Sequence, residues 1–96
     1  MAGVARYGDM STADPCGAPP RKNNEASDNV FTNNIGTHRV GDSWVEHACP
    51  SSSPHSATTI SGSNSVFVNG KKIARISDSI SCGSTISEGS QDVFSD

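Results

Sequence analysis

Apolar residues in this chain come in short runs and never form a long helical stripe. Val66-Phe67-Val68 and Ile73-Ala74-Arg75-Ile76 are β-rich, and the Asn69-Gly70 pair that follows Val68 is the preferred dipeptide of a type I′ hairpin turn. Asn33-Asn34 holds the matching place after Thr32, and asparagine tolerates positive φ better than most residues. Gly62-Ser63 and Gly89-Ser90 punctuate the approach to later Val-Phe elements. Pro15, Pro19, Pro20, Pro50 and Pro54, with Ser51-Ser52-Ser53, break the remaining stretches into loops. No segment reads as a helix. The pattern predicts an all-β fold of short hairpins connected by long loops.

The hairpins repeat. Ala5-Arg6-Tyr7-Gly8-Asp9 returns as His38-Arg39-Val40-Gly41-Asp42 and again as Ala74-Arg75-Ile76-Ser77-Asp78. A second element alternates with it: Asn29-Val30-Phe31-Thr32-Asn33, Ser65-Val66-Phe67-Val68-Asn69 and Asp92-Val93-Phe94-Ser95-Asp96. Over Asp28 to Ser43 and Asn64 to Ser79 the two elements keep one register at an offset of 36. Two patterns alternating in three copies signal an internal triplication. Arg6, Arg39 and Arg75 are then either surface residues near turns opened by Asp9, Asp42 and Asp78, or partners of those carboxylates that tie the copies together. Val30, Phe31, Val66, Phe67, Val93 and Phe94 are expected to fill the core, because a small domain must bury its few large side chains.

Composition sharpens this picture. Ninety-six residues, of which 32% are apolar, make one small domain spanning residues 1–96. So poor a core calls for a staple: a disulfide, a metal or a partner. The net charge of −3, with Lys71-Lys72 the only adjacent basic pair in the second half, leaves no basic face for nucleic acid. Met1 to Asp9 has no apolar signal region, and no apolar run is long enough to span a bilayer. Synthesis in a cytoplasm, with any export left to a dedicated machine, is the expectation.

The candidate chemistry is a metal site. The chain has three histidines, His38, His47 and His55, and three cysteines, Cys16, Cys49 and Cys82. Three imidazoles and a thiolate make a tetrahedral zinc set, and a closed four-ligand shell is structural rather than hydrolytic. Metal-binding free energy becomes folding free energy in a domain this small. Cys82 lies in the short connection of the third Arg-x-x-Asp unit, four residues after Asp78. Cys16 and Cys49 each lie seven residues after the aspartate of their own unit and remain alternates.

The string Gly62-Ser63-Asn64-Ser65-Val66-Phe67-Val68-Asn69-Gly70, followed by Lys72-Ile73-Ala74-Arg75, resembles the PAAR-repeat family, with Ala74-Arg75 at the end of the naming tetrapeptide. Asp78, Cys82-Gly83 and Gly89-Ser90-Gln91-Asp92-Val93-Phe94 continue the likeness, and Gly3-Val4-Ala5-Arg6-Tyr7-Gly8-Asp9 looks like the family's start. Ser77 stands where a glycine is usual, and Asp14-Pro15-Cys16-Gly17 replaces the His-Gly-Gly often found in the first loop. The resemblance implies a cone of three pseudo-threefold-related β-hairpin units with a structural zinc near its apex. The ligands it implies are His38, His47, His55 and Cys82. It implies a non-enzymatic role as the membrane-piercing tip that caps a trimeric β-helical spike, one tip per trimer. The setting would be a phage baseplate or a type VI secretion system, with a target membrane met on firing and no small-molecule substrate. With no effector domain appended, the chain reads as a stand-alone tip.

Two rivals come from other classes. One is a small zinc enzyme with two histidines and Cys82 on the metal and Glu46 as base, although the chain lacks a His-Glu-x-x-His helix. The other is a secreted binding module with one disulfide and a spare thiol.

Overall fold

The two central residues of each predicted turn adopt positive φ. Asn33 and Asn34 lie at 54° and 65°, Asn69 and Gly70 at 55° and 79°. That backbone twist matches the twist of paired strands, so each turn closes a tight hairpin. In the computed structural model, which describes residues 1–46 and 56–96, β2 (Phe31–Thr32) pairs with β3 (Ile35–Gly36). Likewise β4 (Phe67–Val68) pairs with β5 (Lys71–Lys72). A third antiparallel pair joins the chain's ends: β1 (Ala2–Gly3) lies against β6 (Phe94–Ser95). The described residues contain strands, bridges and turns but no helix, as the hydropathy pattern predicts.

The three hairpins are locked around a common axis. Ala5 N–H donates to Ala74 O at 2.9 Å, Ala74 N–H to His38 O at 3.1 Å, and His38 N–H to Ala5 O at 3.0 Å. These residues precede the three repeated arginines, so their backbones form a closed cyclic triangle. A second ring stacks on it: Tyr7 N–H donates to Gly36 O, Val40 N–H to Lys72 O and Ile76 N–H to Gly3 O. Bridges Arg6–Thr37, Arg39–Ile73 and Arg75–Val4 follow the same cycle. Every unit thus hydrogen-bonds the next and the third returns to the first. The triplication in the sequence is a pseudo-threefold in space.

Beyond each Arg-x-x-Asp turn the chain makes an excursion. Backbone bonds from Ser11 to Arg21, Trp44 to Ala57 and Ile80 to Ser84 close the stems of these three loops. The excursions differ greatly in length; the third, 81–84, is the shortest, and the second contains the segment from His47 to His55, which lies outside the described residues.

The core differs from the expectation. Val30, Phe31, Val66, Phe67, Val93 and Phe94 are exposed, the phenylalanines at 60%, 55% and 50%. Two features explain it. Side chains alternate along a strand, and in the three hairpins the inward positions belong to Thr32, Val68 and Ser95, which are buried. Where three backbones meet at hydrogen-bond distance, moreover, there is space for methyl groups but not for three phenyl rings. The interior is therefore built from Val4, Ala5, Ala74 and Ile73 around the axis and from Trp44, Ala57, Ile80 and Ile86 toward the excursions.

A chain with little apolar material fills the rest with polar groups that satisfy one another. Ser27, Ser63 and Ser90 are buried, and each Oγ accepts two backbone N–H groups: from Asn29 and Val30, Ser65 and Val66, and Asp92 and Val93. Sequence reasoning misses this third repeated element, although a serine three residues before each Val-Phe pair is its signal.

Ser77 identifies a local weakness. It adopts φ 78° where the equivalent positions are Gly8 at 85° and Gly41 at 93°. A left-handed backbone costs an L-residue roughly 1–2 kcal/mol that glycine avoids. Ser77→Gly is expected to raise stability by about 1 kcal/mol, read as a higher denaturant midpoint at unchanged slope. A lower midpoint would contradict the strain assignment.

Candidate functional site

The repeated Arg-x-x-Asp element is an intra-unit fork. Arg6, Arg39 and Arg75 each donate from Nε to Oδ2 of the aspartate three residues on, at 3.0, 2.9 and 3.0 Å. Each Nη2 donates to Oδ1 of the same carboxylate at 3.1, 3.0 and 2.9 Å. The arginine backbone N–H groups reach Oδ2 as well. The pairing raises all three guanidinium pKa values, hydrogen bonding to the aspartate being the chief cause. Every fork closes its own turn, and two arginines also tie units together. Arg6 Nη1 donates to Asn33 Oδ1 at 3.2 Å, and Arg39 Nη1 to Asn69 Oδ1 at 3.0 Å. Of the two readings open to these residues, the structure shows the paired one.

His38 lies in the axis of the fold. It replaces the axial alanine of the other two units and is fully buried. Its Nδ1 lies 2.8 Å from Glu25 O and its Nε2 2.8 Å from Thr59 Oγ1. A carbonyl only accepts, so Nδ1 carries the proton. Trp44 Nε1–H donates to the same Thr59 Oγ1 at 2.9 Å, which leaves the threonine hydroxyl to donate to Nε2. The relay Trp44–Thr59–His38–Glu25 uses both ring nitrogens of a neutral imidazole, and Trp44 packs edge-on against that ring at a centroid distance of 5.4 Å. Both ring nitrogens are thus engaged. The axis has space for one large group beside two alanine methyls, and the imidazole fills it.

Burial lowers the His38 pKa from 6.5, the main cause, with Arg39 also lowering it and the Glu25 carbonyl and Asp42 opposing. The unfolded chain therefore binds a proton near pH 6.5 that the native chain refuses. Stability is fully present above that value and falls as pH drops through it, until the native imidazole also protonates. Thermal melts of the wild type and of His38→Ala between pH 7.5 and 5 test this. The difference between the two should shrink as the pH falls; a constant difference would contradict a buried neutral His38.

The other candidate ligands are spread unevenly. Cys82, half-buried in the short third excursion, carries a free thiol 3.0 Å from Ser84 Oγ. It packs against the Trp44–Ile80–Ile86 cluster. Cys16, in the first excursion, is disulfide-bonded, so its sulfur is not a thiolate ligand and the alternate role expected for it falls away. His47, Cys49 and His55 lie outside the described residues. Among the described residues no group of three or more His, Cys, Asp or Glu side chains is placed to hold a metal. Of the described candidates, Cys82 has a free sulfur, and its neighbour Ser81 accepts the Thr58 N–H at the stem of the second excursion. Glu46, the base of the enzyme alternative, is exposed at the edge of the described segment.

What remains is a surface. Each hairpin presents one Val-Phe pair to solvent, and the pseudo-threefold sets the three pairs around the axis. Beside two of them lie equivalent hollows. One, of about 550 Å³, runs between Phe94, Gly3 and Ile76; the other, of about 420 Å³, runs between Phe31, Gly36 and Tyr7. Scattered exposed hydrophobes are ordinary, but here the same exposed pair recurs in all three units.

The PAAR motif family matches residues 19–88, most of the chain. The protein belongs to the PAAR family. In addition, 33 residues, 34% of the chain, are 52% identical to the double-stranded DNA deaminase toxin A of Burkholderia cenocepacia (strain H111). The aligned stretch is 2% of that protein's length. As a PAAR protein, the chain has its naming Ala-Arg pair, Ala74-Arg75, at the axis and in the fork. The family's tetrapeptide therefore marks where the units close on one another.

Proposed function

We propose that this PAAR protein is the tip of a contractile injection spike, a single chain that caps a trimeric β-helical needle. One observation carries the reading: a monomer exposes the same Val-Phe pair three times around a pseudo-threefold axis. A partner with three identical chains can engage all three pairs at once, and three weak contacts made together bind far more tightly than one. Short, open hairpin edges next to these pairs can continue the strand ends of a β-helical shaft, which protects both. Family membership points to a spike of a secretion system or phage tail, and a relative named as a toxin suits a delivery machine. The chain as a whole, residues 1–96, acts as one such unit, and its role is mechanical.

The opposite end, toward which the three excursions leave their stems, is the piercing end. In this reading zinc staples it, held by Cys82 with His47 and His55, and His38 stays in the axis. Three protein ligands would fix the metal between the second and third excursions and leave the fourth position of a tetrahedral zinc to water or to a further group. Metal analysis of the purified protein is expected to give one zinc per chain. Cys82→Ser, His47→Ala and His55→Ala should each lose it and lower the melting temperature, whereas His38→Ala should retain the metal. A zinc-free protein with an unchanged melting temperature would remove the staple.

Co-expression with a candidate trimeric spike tests the docking role. A stable complex that survives size exclusion is expected; a spike that remains uncapped at micromolar tip would overturn it.

A further inference from the structure

The third hairpin has no covalent turn. Its register is nevertheless that of the other two: Ala2 faces Ser95 and Gly3 faces Phe94, as Ile35 faces Thr32 and Gly36 faces Phe31, and as Lys71 faces Val68 and Lys72 faces Phe67. Two residues separate the paired positions in the first hairpin, Asn33-Asn34, and two in the second, Asn69-Gly70. In the third the two places are filled by Asp96 and Met1. Asp96 also plays the turn residue's part toward its neighbour. Its Oδ2 accepts from Ser65 Oγ at 2.9 Å, in the place where Asn69 Nδ2 donates to Asn29 Oδ1 at 3.0 Å and Asn33 Nδ2 to Asp92 Oδ1 at 2.8 Å; residues 65, 29 and 92 each precede a Val-Phe pair. Residues 33, 34, 69, 70, 96 and 1 are all exposed.

We infer that the fold is a closed ring of three hairpins whose three turns are interchangeable, each able to carry the chain ends or a passenger domain. The axis supports this. Its backbone triangle and second ring run between units and never through a turn, so moving the break from one turn to another leaves every axial bond in place. Other breaks are different. One between Val40 and Gly41 would open an Arg-x-x-Asp fork whose aspartate is fully buried.

The inference stands apart from the docking role and is tested on the protein alone. A permuted chain runs from Gly70 through Asp96, joined directly to residue 1 carrying Met1→Gly, and on to Asn69. The join creates an Asp-Gly dipeptide, a preferred two-residue hairpin turn. It is expected to fold cooperatively, with the wild-type circular-dichroism spectrum and a melting temperature within about 10 °C, in the range of a small change in stability. A second permuted chain, opened between Val40 and Gly41 with the same join, is expected to melt far lower or not to fold. A third variant, with a small folded domain inserted between Asn33 and Asn34, separates a bad join from a wrong inference, since it needs no join between residues 96 and 1. Melting of that insertion variant far below the wild type, or equal behaviour of the two permuted chains, would overturn the interchangeable ring.

Discussion

Asp42→Ala should be the most destabilising of the three fork substitutions, lowering unfolding free energy by about 3–5 kcal/mol, the range for breaking a buried ion pair. The three forks have the same bonds but different surroundings. Asp42 is 0% exposed and Arg39 10%, whereas the Arg6 and Arg75 side chains are 21% and 23% exposed. Removing the Asp42 carboxylate leaves the Arg39 guanidinium with Asn69 as its side-chain partner, orphans the Arg39 N–H, and removes the counter-charge 3.7 Å from Lys71 Nζ. Water reaches Arg6 and Arg75 more easily, so Asp9→Ala and Asp78→Ala should cost less, about 1–3 kcal/mol. Denaturant titrations of the three variants decide the order. Equal losses would mean that burial on the axis contributes nothing beyond the fork itself.

The second large effect is on binding. Phe31→Ser, Phe67→Ser and Phe94→Ser each remove a ring that the free protein leaves in water. Folding stability should therefore barely change, as for other surface substitutions, within about 0.5 kcal/mol each. Affinity for a spike trimer should fall about tenfold for each single change, since an aromatic anchor in an interface is worth about 1–2 kcal/mol or more. The triple variant should bind more than a hundredfold more weakly. An unaltered affinity in the triple variant would place the docking face elsewhere. A large drop in its melting temperature would show instead that the rings are structural.

Much of the architecture is legible in the sequence because triplication writes itself as repetition. Asn69-Gly70 specifies a hairpin, Asn33-Asn34 its copy, and the recurring Arg-x-x-Asp a turn that closes three times. The side of the Val-Phe pairs is not legible. Size alone sends large apolar residues to the core, yet alternation within two-residue strands turns Thr32, Val68 and Ser95 inward and the phenylalanines outward. Strands so short give hydropathy too few positions to set a phase. Nor does composition show that buried Ser63, Asn23 and Thr59 take space that larger proteins give to leucine. His38 groups with the other histidines in the sequence because residue type carries no direction; its position in the repeat, where Ala5 and Ala74 stand, is the available sign that it faces the axis. The pairing of β1 with β6 has its own sign, since Gly3 stands three residues before Arg6 as Gly36 of β3 stands before Arg39.

The measurement closest to the central claim is the native mass of the tip–spike complex. A single chain that imitates three subunits must give one tip on three spike chains, with no higher occupancy at excess tip. Three tips per trimer would mean that each spike chain binds its own copy, and the pseudo-threefold would then have no part in docking.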